Sequence, residues 1–185
     1  MSPSALRERV EEEIGRAERH GTGLSCLLIV FDNLEEVARE HGGELREQML
    51  EYAGRALRGE LRCFDRVGRG GPEWDHLHVL LPGADGPRGE IVARRALGRL
   101  RAIKVEAEGA RLALQVSVGL AAWRRDMSAQ QLLALARAAL ERLGGPNGDN
   151  GAAPAAVADG PEREAGQPAA EGTGGAPAFG SIAGQ

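Results

Sequence analysis

The feature that most constrains the fold is a continuous run of apolar residues, LSCLLIVF, at Leu24–Phe31. A strand with one wetted face alternates apolar and polar residues, whereas this run places apolar side chains on both faces. Such a pattern is typical of a strand in the middle of a sheet that is covered by helices on both sides. The sequence therefore predicts an α/β domain built around this strand.

Helix and strand patterns alternate on both sides of the run. An amphipathic helix precedes it, with Leu6, Val10, Ile14 and Ala17 on one face and Gly21 at its end. The elements predicted after the run are a short helix from a capping box of Asp32 and Glu35 to Gly42, a helix over 44–57, strands over 66–69 and 76–81, a helix over 88–103, a strand over 112–120 and a helix capped by Ser128 with Gln131. This order predicts helices packed over one mixed sheet.

The charge distribution argues against nucleic acid as a partner. The net charge is −4, and the segment from Gly144 onward carries all of it, so the preceding residues are electrically balanced. No apolar run reaches the about 18 residues that a membrane span needs. Cys26 and Cys63 have no metal or disulfide spacing, and the charged start has no signal core, so we expect a cytoplasmic location.

The composition changes at Gly144, where Gly, Ala and Pro become dominant. Such a segment has too little apolar surface to offset its ordering entropy. We therefore predict a folded domain over residues 1–147 and a disordered, acidic tail over 148–185. Truncation near Asn150 is expected to leave folding intact.

Four segments, in this order, resemble the GGDEF (diguanylate cyclase) family. They are RAERHGTGLSCLLIVFDNLEEVAREHGG, RCFDRVGRGGPEWDHLHVLLPG, LQVSVGLAAW and SAQQLLALARAALERLGGPN, and together they cover residues 5–147. The resemblance implies the palm-like fold of nucleotidyl cyclases, with a central mixed five-stranded sheet flanked by helices. It also implies a bacterial origin and a role in signalling.

The resemblance assigns the family's active-site positions to residues that depart from its pattern. The metal-binding Asp of the first strand falls on Val30, with Asp32 two residues later. The guanine-reading Asn falls on Ala38, a second guanine-reading Asp on Glu47, and the phosphate-binding Lys on Glu35. Valine cannot ligate a hard cation, and a carboxylate in place of lysine repels a triphosphate. These departures predict a degenerate site without catalytic residues, metal or cofactor, and hence a protein that is not an enzyme.

The signature loop aligns in two registers that differ by two residues. Counted back from Pro82, the motif falls on residues 73–77, so that Asp75 keeps a metal carboxylate and His76 follows it. Arg137 stands where the last helix of the family has an Asp. His76 and His78 share a strand face, but two imidazoles do not complete a metal site, and we expect a solvated hairpin instead.

One binding element of the family has its residues in this sequence. Arg62 and Asp65 match the RxxD that forms the family's product-binding site, to which the helix after the hairpin adds an Arg. Arg95 and Arg99 both satisfy that spacing and lie one helical turn apart. The resemblance implies cyclic di-GMP as the ligand. The alternative is that the RxxD match arises by chance, as is common in an arginine-rich chain, and that these residues form an ordinary surface ion pair.

Three functions are consistent with these observations. The first is a catalytically inactive GGDEF-like receptor that binds cyclic di-GMP through Arg62, Asp65, Arg95 and Arg99. The second is a nucleotide-independent protein–protein interaction module, whose partner is either another protein or a second copy of this chain in a homodimer. The third, a nucleotide cyclase with an altered site, is the least favoured because the metal, base and phosphate ligands all differ.

Overall fold

The computed structural model describes residues 3–69, 76–142 and 156–158. It contains the helices and strands in this order: α1 (Pro3–His20), β1 (Leu24–Phe31), α2 (Leu34–His41), α3 (Gly43–Glu60), β2 (Arg66–Arg69), β3 (His76–Pro82), α4 (Gly86–Arg101), β4 (Lys104–Ala107), β5 (Ala110–Ala113), β6 (Val116–Ala122), α5 (Ala129–Glu141) and β7 (Ala156–Ala158).

The main sheet has five strands in the order β2-β3-β1-β6-β7. β1 is the central strand and pairs antiparallel with both β3 and β6, while β7 pairs parallel with β6. The sheet is therefore mixed, as predicted. β4 and β5 form a separate two-stranded hairpin, whose turn places Glu108 and Gly109 at positive φ.

Each face of β1 is covered by its own layer of helices. Leu27, Ile29 and Phe31 belong to a core cluster shared with α2, α3 and α4, whereas Cys26 and Leu28 pack with α1 and α5. All five of these β1 residues are buried. The prediction of a central strand buried on both faces is confirmed.

One of the two predicted capping boxes is present. Ser128 accepts a hydrogen bond from the Gln131 backbone N–H, and the Gln131 side chain accepts one from the backbone of Ser128. The box predicted for Asp32 and Glu35 is wrong, because the residue before α2 is Asn33 and its side chain does not cap the helix. Asn33 instead donates to the Ala113 carbonyl and accepts from the Gln115 N–H, both at 2.9 Å.

These Asn33 contacts also correct the strand predicted over 112–120. β5 ends at Ala113 and β6 begins at Val116, so the predicted strand is two strands in different sheets. The Asn33 amide binds the backbone on both sides of Leu114, at the place where the chain leaves one sheet for the other. β4 was not predicted, because its four residues include two charged side chains and a single buried one, Val105.

Three residues of the tail that was predicted to be disordered over 148–185 form a strand. Ala156–Ala158 form β7, which pairs with Gly119, Leu120 and Ala121 of β6. A short segment of small and β-branched residues can add to an open sheet edge through its backbone alone. The rest of that predicted tail lies outside the described residues. The described helices include none with the length and apolar character that a bilayer crossing requires.

Candidate functional site

The metal position implied by the resemblance lies at the end of the central strand. Val30 is half-buried and is paired with His76 of β3 on one side and with Ser117 of β6 on the other. Its side chain packs with the cluster formed by α1 and α5. The valine therefore adds apolar surface where the family's pattern has a carboxylate.

Two histidines of β3 lie beside this position. The rings of His76 and His78 meet edge to face, with centroids 5.8 Å apart. His78 is only 7% exposed, so the expectation of a solvated hairpin is wrong for this residue. Burial, followed by the neighbouring charges of His76 and Arg137, lowers the pKa of His78 to about 4. We call Val30, His76, His78 and Arg137 the sheet-end cluster.

The buried imidazole of His78 has an unusual hydrogen-bonding state. Among the residues that the structure describes, no partner lies within hydrogen-bonding distance of its Nδ1. Because its pKa lies well below neutrality, the ring is neutral at physiological pH. The sheet-end cluster thus combines a neutral, buried imidazole with the apolar Val30 and the exposed guanidinium of Arg137.

Asp32 is the acidic side chain next to this cluster, and the fold already uses it. Its Oδ2 accepts a hydrogen bond of 2.7 Å from the Ser117 hydroxyl, and its backbone N–H donates to the Gln115 carbonyl at 2.9 Å. Both contacts join the end of β1 to β6. Asp32 therefore has a structural role in addition to its proximity to the metal position.

The guanine-reading and phosphate-binding positions implied by the resemblance lie in two different environments. Glu47 lines a cavity of about 680 Å³ between α2 and α3, together with His41, Glu44, Leu45, Gln48 and Glu51. Glu47 is exposed and pairs with Arg46 at 2.8 Å. Ala38 and Glu35 lie on α2, half-buried and exposed respectively, and are not among the lining residues. Of these three positions, Glu47 is the one that lines this cavity.

Arg62 and Asp65 form a closed turn after α3. The Arg62 backbone N–H donates to Asp65 Oδ2 at 2.7 Å, and the Asp65 backbone N–H donates to the Arg62 carbonyl at 3.1 Å. The Arg62 guanidinium lies 5.7 Å from the centroid of the Phe64 ring, within range of a cation–π contact. These hydrogen bonds fix the backbone of the RxxD segment. The Arg62 side chain is exposed, and that of Asp65 is half-buried.

The two candidate arginines of α4 are joined by a carboxylate that the sequence analysis did not identify. Glu60 Oε2 accepts from Arg95 Nε at 2.9 Å and from Arg95 Nη2 at 2.6 Å, and Oε1 accepts from Arg99 Nε at 2.8 Å. The hydrogen bonding of Arg95 has the largest effect, followed by that of Arg99, and together they hold the pKa of the Glu60 carboxyl below its usual value. We call Glu60, Arg62, Asp65, Arg95 and Arg99 the arginine cluster.

A sequence signal for Glu60 did exist. It is the last residue of α3, where the helix dipole disfavours a carboxylate unless a cation compensates it. Glu60 and Arg62 are separated by one residue, so their Cα atoms are within about 7 Å. The Arg62–Asp65 turn therefore begins two residues after the carboxylate that binds Arg95 and Arg99.

One predicted site residue, Asp75, lies outside the described residues, together with Glu73 and Trp74. Within the three described ranges, no group of three or more His, Cys, Asp or Glu side chains is arranged to hold a metal ion.

Comparison with known proteins identifies the family. Residues 3–149 match the family described as "Diguanylate cyclase, GGDEF domain". The chain belongs to the GGDEF family. The predicted resemblance is confirmed, and so is the predicted palm-like fold, because solved GGDEF domains share it.

Two solved structures illustrate the similarity in fold. Diguanylate cyclase SiaD from Pseudomonas aeruginosa, in complex with its activator SiaC, aligns with a TM-score of 0.70 at 27% identity over 77% of this chain and 54% of that one. The GGDEF domain of DgcB from Caulobacter crescentus, in complex with c-di-GMP, aligns with a TM-score of 0.75 at 16% identity over 86% and 89% of the two chains. At 16% identity, the second comparison supports the fold alone.

A curated relative corrects one prediction. Diguanylate cyclase DgcP from Pseudomonas aeruginosa is 27% identical over 139 residues, which cover 75% of this chain and 20% of that protein. The chain therefore spans about one fifth of the length of this relative. The matching family and the relative are both named after an enzyme activity, so the prediction that the chain is not an enzyme is wrong: its relatives are enzymes of one class.

Proposed function

We propose that this GGDEF domain acts in cyclic di-GMP signalling by binding cyclic di-GMP at the arginine cluster. The observation that carries the proposal is that Glu60, which binds Arg95 and Arg99, lies two residues before Arg62 of the Arg62–Asp65 turn. These segments supply three guanidinium groups, with the Asp65 carboxylate as an acceptor.

The chemistry of these groups suits a guanine dinucleotide. A guanidinium can bind a phosphate, or the O6 and N7 edge of guanine, through two parallel hydrogen bonds. The Asp65 carboxylate uses one oxygen for the Arg62 N–H, and its other oxygen can accept from the N1–H or amino group of guanine. Phe64, 43% exposed and beside the Arg62 guanidinium, offers a ring on which a base can stack.

Calorimetric titration of the full chain with cyclic di-GMP tests the proposal. We expect saturable binding by the wild type, and an affinity reduced roughly 10- to 150-fold in Arg62→Ala, the usual cost of a lost charge-assisted hydrogen bond. Arg94→Ala is the matched control, because Arg94 is exposed on α4 and pairs with Glu90 away from the cluster. No detectable binding by the wild type at about 100 μM, where even a weak dinucleotide site fills appreciably, would reject the proposal.

Ligand selectivity provides a second test of the same site. Cyclic di-AMP carries the same phosphates, but adenine lacks the N1–H and the 2-amino donors that Asp65 is expected to bind. We expect cyclic di-AMP to bind more weakly than cyclic di-GMP in the wild type. The difference between the two ligands should shrink in Asp65→Asn, because the substitution replaces an acceptor with a donor.

Protein binding is a second candidate function, favoured by the exposed apolar residues next to the cluster. Phe64 and Val67 are 43% and 45% exposed, and Val67 lies on β2, an edge strand of the sheet. An open edge with an apolar side chain can pair with another chain. If it mediates a homodimer, sedimentation should show a dimer for the wild type and a monomer for Val67→Lys. A monomer at every concentration for both would exclude self-association through β2.

A further inference from the structure

Glu60 touches every guanidinium that α4 contributes to the arginine cluster. Its side chain is only 9% exposed, whereas those of Arg95 and Arg99 are 58% and 71% exposed. Both carboxylate oxygens are engaged, one by each arginine. The carboxylate is therefore enclosed by the two arginines, whose outer surfaces remain in solvent.

The edges used in these contacts leave the ligand-binding edges available. Arg95 presents Nε and Nη2 to Glu60, and Arg99 presents Nε. Among the described residues, Arg95 Nη1 and both Nη atoms of Arg99 have no hydrogen-bond partner. A guanidinium has five N–H donors, so binding a carboxylate along one edge leaves donors on the other edge for a phosphate.

We propose that Glu60 is a positioning residue that orders Arg95 and Arg99 and turns them into a preformed receptor for an anionic ligand. The proposal rests on the proposed function of the arginine cluster. Without Glu60, two like charges one helical turn apart would repel each other and sample many rotamers. Ligand binding would then have to order both side chains, and that cost would lower the affinity.

The sign of the effect of Glu60→Gln separates positioning from simple electrostatics. The substitution removes a negative charge beside the site, so electrostatics alone would strengthen the binding of cyclic di-GMP. Loss of positioning instead weakens binding, by roughly 5- to 100-fold if both arginines lose their order. Glu51→Gln is the matched control, since Glu51 lies on the same helix, pairs with Arg55 and carries the same charge.

The experiment measures cyclic di-GMP affinity by calorimetry and the arginine Nε–H resonances by NMR, both on the full chain. We expect weaker binding, and mobile Arg95 and Arg99 Nε–H groups, in Glu60→Gln but not in Glu51→Gln. Equal or tighter binding by Glu60→Gln would overturn the proposal even if the wild type binds. If the wild type does not bind, the proposed function is rejected, and the NMR comparison still decides whether Glu60 orders the two arginines.

Discussion

The sheet-end cluster and the arginine cluster differ in how their polar groups are held. In the first, a neutral His78 is buried on β3 without a partner for Nδ1 among the described residues. In the second, exposed arginines are fixed by specific hydrogen bonds to Glu60. Exposed ion pairs contribute little to stability, whereas buried groups at a helix–sheet contact contribute much. We infer that substitutions in the first cluster change the fold and those in the second change binding.

The largest expected effect comes from Gly119, which lies on β6 beneath α5. A Cβ at this position would lie 2.2 Å from the Ala136 carbonyl oxygen and 2.9 Å from the Leu140 nitrogen, both backbone atoms of α5. Gly119→Ala must therefore displace the helix that carries Arg137. We expect a loss of about 3 kcal/mol or more in the free energy of unfolding, measured by chemical denaturation.

Gly98→Ala is the matched control on the helix of the arginine cluster. A Cβ at Gly98 meets no other described residue within 4 Å, and the residue lies inside α4. Alanine there should stabilise the protein by about 0.5–1 kcal/mol through helix propensity alone. Similar stabilities for the two variants would contradict the close packing of α5 on Gly119.

The second prediction concerns the pH dependence of stability. The folded pKa of His78 is lowered to about 4, from 6.5 in the unfolded chain, because burial disfavours the imidazolium. The unfolded state therefore binds more protons between these pH values. The stability contribution is complete above about pH 6.5 and is lost as the pH falls towards 4, by up to about 3 kcal/mol.

His78→Leu tests this assignment. It removes the titrating group, so its free energy of unfolding should vary less between pH 6.5 and pH 4 than that of the wild type. His20→Gln, at the exposed end of α1, is the control for the loss of a histidine. An unchanged slope in His78→Leu would show that other groups cause the pH dependence.

The third prediction concerns β7, which closes the sheet on the side remote from β2. Truncation after Asn150 removes the backbone pairing of β7 with β6. We expect a loss of about 1–3 kcal/mol, the sum of a few net hydrogen-bond contributions. Truncation after Gly160 keeps β7 and is the control. Equal thermal midpoints for the two truncated chains would restore the expectation that the whole tail is dispensable for folding.

Much of the fold could be predicted from periodicity, and the failures have local physical causes. The apolar run of β1 and the capping box at Ser128 are encoded in adjacent residues. The break between β5 and β6 depends on Asn33, which is 80 residues away from Ala113. β7 depends on an open edge of β6 that no local pattern reveals. The sequence patterns therefore missed the elements that depend on contacts between residues far apart in the chain.

The candidate site residues show the same division between local patterns and contacts distant in sequence. Arg62 and Asp65 could be predicted because they are three residues apart and form one turn. Glu60 was missed, although its place at the end of α3 gave a signal, because its partners Arg95 and Arg99 are 35 and 39 residues away. The burial of His78 was also missed, since a hairpin histidine gives no sign of the helices that pack on the sheet. That burial comes from tertiary packing rather than from neighbouring residues in the sequence.

The smallest expected effect is that of Asp65→Asn on stability. The carboxylate oxygen that accepts from the Arg62 N–H at 2.7 Å is replaced by an amide oxygen, which can accept the same hydrogen bond. We expect the free energy of unfolding to change by less than about 1 kcal/mol, whereas Asp65→Ala, which removes the acceptor, should cost about 0.5–1.5 kcal/mol. Thermal denaturation of both variants measures these effects beside their affinity for cyclic di-GMP. A weakened affinity in Asp65→Asn at nearly unchanged stability would show that the carboxylate contributes to recognition rather than to the turn. If stability fell as far in Asp65→Asn as in Gly119→Ala, the turn would be essential to the fold, and the distinction between the two clusters would be lost.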